Sequence, residues 1–269
     1  MKNVAYINRP NRPLFIYAIL FLIFLYLPIL FLPLFSFNEA IYIAFPIENW
    51  TLQWYRDMFN NQPMIAALLN SIKVGVVAAV VSTFLGIFGA KAVTRYRIPG
   101  RAPIVSVIMA PLVIPGIILG VALLILVNRI GVPLSLYTIT LGHILVCVPF
   151  SMATLMTRFE GFDKSFEEAS ADLGENIWWT FWRVTLPIVF PGIVASLLLC
   201  FIISFDEFIL AFFLGGTDPT LPLFIWGQLR FPNRLPSVLA LATCILMLSL
   251  VVVVISQWLV KREPDSDTT

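Results

Sequence analysis

Residues 158–187 read RFEGFDKSFEEASADLGENIWWTFWRVTLP, a polar stretch between two strongly apolar ones. Ser165, followed three residues later by Glu168, is the pattern of a capping box, which predicts a helix that begins just after Ser165. Gly174 is a suitable C-terminal stop for that helix, and Pro187 opens the next apolar run. The pattern therefore predicts a short helix held at a membrane surface.

Two interpretations of this short helix stay open on the pattern alone. Phe166, Ala169, Ser170 and Leu173 fall at helical spacing on one face. Asn176 can cap a second short helix that is rich in tryptophan, a residue suited to the level of the lipid headgroups. Such a segment either docks into a partner protein or lies on the bilayer as an amphipathic connector.

The composition of the chain is that of a membrane protein. Of its 269 residues, 59% are hydrophobic and 12% are charged, and the mean hydropathy is +0.93. Several apolar runs are long enough to cross about 30 Å of hydrocarbon as helices, which favours a helical bundle over a barrel. We expect an all-α integral membrane protein, with one transmembrane domain at 14–260 between short termini at 1–13 and 261–269. The six predicted spans are 14–36, 64–93, 103–128, 136–157, 187–213 and 235–260.

Basic residues predict how the spans are oriented. If the N-terminus is cytoplasmic, 12 of the 17 Lys and Arg residues fall in inner segments and 4 in outer ones, and Lys73 lies within the second span. The positive-inside rule then places both termini and the segment 158–187 in the cytoplasm. The net charge of +2 is too small and too dispersed to indicate nucleic-acid binding.

The polar stretch also carries a longer gapped pattern: E-A-S, three residues, G, nine residues, then V-x-L-P. It resembles the EAA motif of binding-protein-dependent ABC importer permeases, E-A-A, three residues, G, nine residues, I-x-L-P. The matching positions are Glu168, Ala169, Ser170, Gly174, Val184, Leu186 and Pro187. In that family the segment is a coupling helix that fits a cleft on an ATPase subunit, so the resemblance favours docking over the bilayer connector and adds Ser165 as the start of the coupling element.

The resemblance extends over most of the chain. SFNEA at 36–40, WTLQWYRDMF at 50–59, LLNSIKVGVVAAVVSTFLG at 68–86 and YRIPGR at 96–101 are similar to type I importer permeases, in particular to the smaller, second permease of the spermidine/putrescine subfamily. Permeases for ferric iron, opines and phosphonates share much of this pattern. The cargo implied by the resemblance is a polyamine, with those three classes as alternatives.

The resemblance implies a MetI-like fold of six transmembrane helices in the bacterial inner membrane, and a set of partners. The chain would form half of a pathway with a second homologous permease. Two ATPase subunits would hold ATP and Mg, because the sequence has no G-x-x-x-x-G-K-[ST] pattern. A periplasmic binding protein would dock on the outer segments 37–63 and 214–234. We expect this chain itself to be no enzyme, to hold no cofactor or metal, and to contact only lipid, these proteins and a small cationic cargo.

Two adjacent acids in the apolar stretch FIISFDEFILAFF, residues 201–213, need an explanation. A carboxylate at the centre of a spanning helix costs about 2.5–3.5 kcal/mol, so Asp206 and Glu207 are candidates for a functional cavity. Flanked by Phe205 and Phe208, they would suit an ammonium group through charge and cation–π attraction. On one continuous helix they would point about 100° apart. We therefore expect Asp206 to face the cargo, and Glu207 to share that site, to be protonated or paired, or to brace the partner permease.

Other polar residues within the spans have two interpretations each. Lys73 either pairs with one of the acids or extends to the outer headgroups. His143, the single histidine of the chain, is better explained by hydrogen-bonded packing than by metal binding. Trp226 either closes over the cargo or anchors the chain at the membrane interface. The three cysteines have no metal-binding spacing and are expected to pack as small apolar residues.

A function of another class stays open on the residues. In an ion-coupled secondary carrier, Asp206 or Glu207 would carry the coupling proton. Such a carrier would need no docking helix and no ATPase partners. A purely structural membrane protein would leave both the acids and the gapped motif unexplained.

Overall fold

The computed structural model describes residues 12–260 except 44 and 48, with side chains described as far as 251. The predicted termini therefore lie largely outside the described residues. The described part is all-α, with one isolated bridge, Asn38 to Trp50, in place of a sheet. Its α-helices are α1 Arg12–Ser36, α2 Gln53–Asn60, α3 Gln62–Arg95, α4 Arg101–Val113, α5 Gly116–Arg129, α6 Leu136–Glu160, α7 Ser165–Asp172, α8 Ile177–Thr180, α9 Leu186–Asp206, α10 Ile209–Leu214, α11 Leu221–Gln228 and α12 Leu235–Val260.

The described helices provide five apolar spans, or six if one bent pair counts as a span, in agreement with the predicted fold class. The bent pair is α4 and α5, which meet at 104°, so the predicted span at 103–128 is not one continuous helix. Pro115 causes the break. The residue before a proline is disfavoured in helical conformation, and Ile114 is extended, with φ −75° and ψ 127°.

The chain divides into two compact units, the first made of the chain up to Gln62 together with Gly227 onward. In this unit α1 packs against α12, and α2 packs against α12 as well. The segment between α1 and α2 is tied down by hydrogen bonds. The indole Nε1 of Trp54 donates to the carbonyl of Asn38 at 2.7 Å, and the hydroxyls of Ser36 and Tyr55 lie 2.7 Å apart. The start of the predicted outer segment 37–63 is thus bonded to helix α2.

The second unit, Pro63–Trp226, has its core where α6 and α9 run antiparallel. The facing side chains are small or polar and recur every fourth residue along both helices. The pairs in direct hydrogen-bond contact are His143 with Ser204, Cys147 with Cys200, and Ser151 with Ser196. Small side chains let the helix backbones approach closely, and polar ones bond across the contact. Cys147 and Cys200 are fully buried, which confirms their interpretation as packing residues.

Helix α3 completes this core. The Thr83 hydroxyl lies 3.0 Å from that of Ser196, and Gly86 lies directly over Ser151 and the backbone of Met152. A Cβ at Gly86 would stand 3.2 Å from the Met152 nitrogen and closer still to the Ser151 side chain. Glycine is therefore required there by a close helix–helix approach rather than by backbone conformation.

The fifth span differs from its prediction at both ends. It begins at Ile177, because α8 runs through a π-helical turn at Phe181–Thr185 into α9, so Pro187 lies inside the span and does not open it. It ends at Asp206 instead of 213. Glu207 is extended, with φ −72° and ψ 112°, and the chain becomes helical again only in α10. These two differences change the local backbone structure around the predicted site residues at each end of the span.

Candidate functional site

Helix α7 begins where predicted, but a different residue caps it. The side chain of Asp163, not a reciprocal Ser165–Glu168 box, accepts the backbone N–H of Ser165, at 3.0 Å. Glu168 is exposed and has no described hydrogen bond to the start of the helix. The capping-box prediction is therefore wrong in mechanism. This bond also keeps the pKa of Asp163 below its usual range, because the backbone N–H favours the charged carboxylate.

The end of α7 follows the sequence prediction. Gly174 has φ +90°, a backbone conformation that favours glycine, and it stops the helix after Leu173, which is 86% exposed. Asn176 then accepts the backbone N–H of Trp179 at 3.0 Å and caps α8, as predicted. The sharp turn at Gly174 therefore separates α7 from the helix that enters the membrane span.

The faces of α7 are divided differently from the prediction. Ser170 is buried, and its hydroxyl lies 2.9 Å from that of Thr180 on α8. Phe166, Ala169 and Leu173 are exposed, so Ser170 does not share their face. The outer face of α7 presents Ala169 and two large apolar side chains beside Glu168. This is the side of α7 available to a partner.

Sequence reasoning missed Glu167, the best-connected residue of α7. One of its carboxylate oxygens lies 3.1 Å from Nε of Arg95, the last residue of α3, and the other accepts the hydroxyl of Thr185 at 2.6 Å. Arg95 also donates to the carbonyl of Phe162 at 3.0 Å, and its guanidinium lies 4.7 Å from that ring. The sequence signal for this contact was an arginine at the end of an apolar span, together with an acid-rich segment later in the chain.

The last two motif residues lie in the span itself. Leu186 packs against the cluster that includes Leu155, Phe159 and Val189, whereas Pro187 is exposed. Both directly follow the π-helical turn whose last residue, Thr185, is bound to Glu167. The end of the motif therefore marks the connection between α7 and the long helix α9.

Asp206 is the last residue of α9 and lies on the face that does not pack against α6. Leu198 and Ile202, two turns and one turn earlier, are 60% and 63% exposed on the same side. Asp206 is itself exposed, and within the described residues it makes no hydrogen bond or ion pair. It is therefore a carboxylate at the end of an otherwise apolar, uncovered face.

Glu207 has a local partner, which corrects the prediction of two acids about 100° apart on one helix. Helix α9 ends before Glu207. The Oε1 atom of Glu207 accepts the backbone N–H groups of Ile209 at 2.8 Å and Leu210 at 3.0 Å. These are the first N–H groups of α10, which have no partner inside that helix. Glu207 thus stabilises the start of α10, and among the described residues it forms no ion pair with Lys73. A contact between Glu207 and the partner permease stays a prediction.

One face of helix α10 is buried against its neighbours. Leu210 and Leu214 are buried beside Val74, Leu119 and Ile139. A Cβ on Gly142 of α6 would lie 2.5 Å from the Leu214 side chain, so α10 approaches α6 as closely as a glycine allows. The break at Glu207 is therefore stabilised both by the packing of α10, which follows it, and by the carboxylate of Glu207.

The aromatic residues near the acids do not form one box. Phe208 and Phe212 contact Trp226, with ring centroids 5.8 and 5.9 Å apart, while Phe205 packs on Phe201 of its own helix at 5.7 Å. Trp226 is 41% exposed, and it lies on α11, a helix that the sequence analysis left as an outer loop. The aromatic surface beside the break thus consists of Phe208, Phe212 and Trp226.

The remaining polar residues in the spans have clear positions. His143 is 1% exposed and bonds to Ser204 through Nδ1 at 2.7 Å, which confirms the packing interpretation. Lys73 is exposed, and no described acid lies within ion-pair distance of it, so of its two interpretations the pairing with Asp206 or Glu207 is not the one found in this structure. In the part of the chain that the structure describes, no group of three or more His, Cys, Asp or Glu residues could hold a metal ion.

Comparisons with known proteins agree with this architecture. The family described as "Binding-protein-dependent transport system inner membrane component" matches residues 82–263. The chain is 32% identical to the spermidine/putrescine transport system permease protein PotC of Haemophilus influenzae, over 89% of this chain and 93% of that protein. It is also 32% identical to the putrescine transport system permease protein PotI of Escherichia coli K12, over 91% and 89% of the two chains.

A solved structure shares the fold. A chain of the bacterial alginate ABC transporter, in complex with an alginate pentasaccharide-bound periplasmic protein, superposes with a TM-score of 0.72. The match covers 96% of this chain and 95% of that one, at 17% sequence identity. At this identity the likeness establishes the fold and nothing about the cargo.

Proposed function

Because the chain belongs to the family of binding-protein-dependent transport system inner membrane components, we propose that it is the permease subunit of an ATP-driven importer of a small organic cation, with spermidine and putrescine as its leading candidates. The relatives PotC and PotI are permeases for these polyamines and align over about nine-tenths of the chain. They support a linear, multiply charged ammonium compound as cargo.

The carboxylate of Asp206 carries this proposal. It ends the uncovered face of α9 and has no described cation partner, and Phe208, which belongs to the aromatic surface with Phe212 and Trp226, follows it by two residues in the chain. An ammonium group is attracted both to a carboxylate and to the face of an aromatic ring. A desolvated ammonium moving past this break would find both types of partner there.

The family and the sequence support the following set of partners. A second, homologous permease covers the exposed face of α9 and completes the pathway, and two ATPase subunits bind on the cytoplasmic side, one of them to the outer face of α7. A periplasmic binding protein delivers the cargo on the opposite side. The alginate transporter, whose solved structure includes its periplasmic protein, supports this general arrangement. The positive-inside pattern of Lys and Arg supports the orientation, with both termini cytoplasmic.

The mechanism couples two states of the pathway to two states of the ATPase. Closure of the ATP-bound dimer moves α7, and α7 moves the helices attached to it. ATP drives the switch only because the closed dimer binds α7 differently in the inward- and outward-facing states. In this scheme Glu168 and Ala169 form part of the docking surface, and Gly174 keeps α7 at a fixed angle to the span.

The test is uptake of labelled putrescine and spermidine by membrane vesicles that contain the chain with its co-expressed partners. Asp206→Asn removes the charge and keeps the shape, and a lost charge-assisted contact of about 1.5–3 kcal/mol corresponds to a fall in uptake of about 10- to 100-fold. Asp206→Glu, which keeps the charge, should retain most uptake. Both variants should still co-purify with the ATPase.

Two results would count against the proposal. Undiminished uptake by the Asp206→Asn variant would remove this residue from the pathway. Transport that follows a proton gradient and needs no ATP, by a chain recovered without ATPase subunits, would favour an ion-coupled carrier instead. Measurement of which ligand the cognate binding protein retains would test the polyamine cargo against ferric iron, an opine or a phosphonate.

A further inference from the structure

We propose that Glu167 is the positioning residue through which movement of α7 reaches the transmembrane helices; this role rests on the proposed importer function. Its two carboxylate oxygens bind two different elements. One forms an ion pair with Arg95 at the end of α3, at 3.1 Å, and the other accepts the Thr185 hydroxyl just before α9, at 2.6 Å. One side chain thus joins α7 to two spans.

Burial distinguishes this ion pair from an ordinary surface contact. The side chain of Arg95 is 6% exposed and that of Glu167 is 19% exposed, and Thr185 is fully buried. The pair between Arg101 and Glu160 is 3.7 Å long, with 50% and 58% exposure. An exposed pair of that kind contributes little, whereas removing one partner of a buried pair leaves an uncompensated charge.

Few other side-chain bonds hold α7. Among the described residues, its side chains make hydrogen bonds or ion pairs to other helices only through Glu167 and Ser170, and Ser170 reaches the short helix α8. Glu168, the neighbouring acid that belongs to the recognisable motif, is exposed. The two adjacent acids therefore have different roles. Glu168 faces the docking side, and Glu167 faces the membrane domain.

The two attachment points of Glu167 lead to the pathway. Helix α9 starts directly after Thr185 and ends at Asp206, 21 residues later, which is about 32 Å of continuous helix. Helix α3 packs against the same α9 through Thr83 and Ser196. A displacement of α7 held by Glu167 is therefore applied to both helices of one packed unit, and through α9 to Asp206.

The test measures two quantities for each variant, in vesicles that hold the chain and its co-expressed partners. The first is putrescine uptake per ATP hydrolysed, and the second is the melting temperature. Glu167→Gln keeps an acceptor for Thr185 but places an amide beside Arg95, so the link to α3 is lost and the cation is left unpaired. We expect uptake per ATP to fall at least about tenfold and the melting temperature to fall too. The matched control Glu160→Gln should change uptake per ATP by no more than about twofold and the melting temperature by no more than about one degree.

A double variant separates coupling from folding. Arg95→Met with Glu167→Gln removes the unpaired buried cation, so the melting temperature should return toward that of the wild type while uptake per ATP stays low. If uptake per ATP returns together with stability, or if Glu167→Gln leaves it unchanged, the residue has only a structural role and the inference is overturned. A wild-type assembly that imports without ATP would instead overturn the proposed function on which the inference rests.

Discussion

Glu207 offers the sharpest test of the break between α9 and α10, because its carboxylate oxygen accepts hydrogen bonds there and a neutral oxygen could accept them as well. It accepts the N–H groups of Ile209 and Leu210, at 2.8 and 3.0 Å. Glu207→Gln retains a carbonyl oxygen that can accept both bonds, whereas Glu207→Ala retains none. We expect the first variant to transport nearly as well as the wild type and the second to be defective.

The magnitude follows from the groups left unpaired. Leu210 is 1% exposed, so its N–H has little access to solvent when the acceptor is removed. Loss of a helix cap costs about 0.5–2 kcal/mol, and a buried donor without a partner costs about 1–3 kcal/mol. Glu207→Ala should therefore destabilise the start of α10 by about 2 kcal/mol, which raises the ratio of open to intact forms of the break about 30-fold.

The assay pairs uptake of labelled putrescine with hydrogen exchange of the amides in α10. In Glu207→Ala, exchange at Ile209 and Leu210 should rise with little change in α9, whose own packing on α6 is untouched. Asp206→Asn should do the reverse, with reduced uptake and unchanged exchange in α10. The two neighbouring acids would then be separated by their effects.

One pattern would refute the reasoning about Glu207. If Glu207→Gln abolished uptake as fully as Asp206→Asn while exchange in α10 remained slow, the charge of Glu207 would be acting on the cargo and the cap would be incidental. A Glu207→Ala variant with normal exchange and normal uptake would show that packing alone holds α10.

Two further predictions concern the core and α7. Gly86→Ala should lower stability by about 1–3 kcal/mol, seen as a lower melting temperature, because its Cβ would meet Ser151, whereas Gly227→Ala, with no atom within 4 Å, should not destabilise. The depressed pKa of Asp163 means that its contribution to α7 is present above its usual value of 3.8 and is lost as pH falls through the lower folded value. Exchange protection of the Ser165 amide should therefore decline only in that acid range, and an equal decline in Asp163→Asn would contradict this cause.

The spans could be predicted from the sequence because each depends on a property that one segment carries alone. Length and apolar composition determine whether a helix can cross the bilayer, so α1, α3, α6 and α12 lie close to their predicted positions. The stop at Gly174 was equally local, since it needs only a residue that tolerates positive φ.

The break at Glu207 was not predicted because it depends on contacts between segments. Nothing in FIISFDEFILAFF ends a helix by itself, and the break at Glu207 is stable because its carboxylate caps α10 and because Gly142 leaves room for Leu214. Pro115 was a visible local signal for the bend between α4 and α5, but prolines are also tolerated within membrane helices. Only the packed structure separates those cases.

The two acidic pairs of this chain follow one pattern, which gives a reason for their adjacency. In Glu167–Glu168 and in Asp206–Glu207, one member binds atoms of the protein and the other is exposed without a described partner. The bound member fixes the local backbone, and the neighbouring acid is thereby presented in a defined position. Glu167 presents Glu168 on the docking face of α7, and Glu207 holds the break at which Asp206 ends α9. Helix α9 connects the segment that follows α7 with the break at Glu207. The structure therefore supports a transport cycle in which a force applied beside Glu168 changes the surroundings of Asp206.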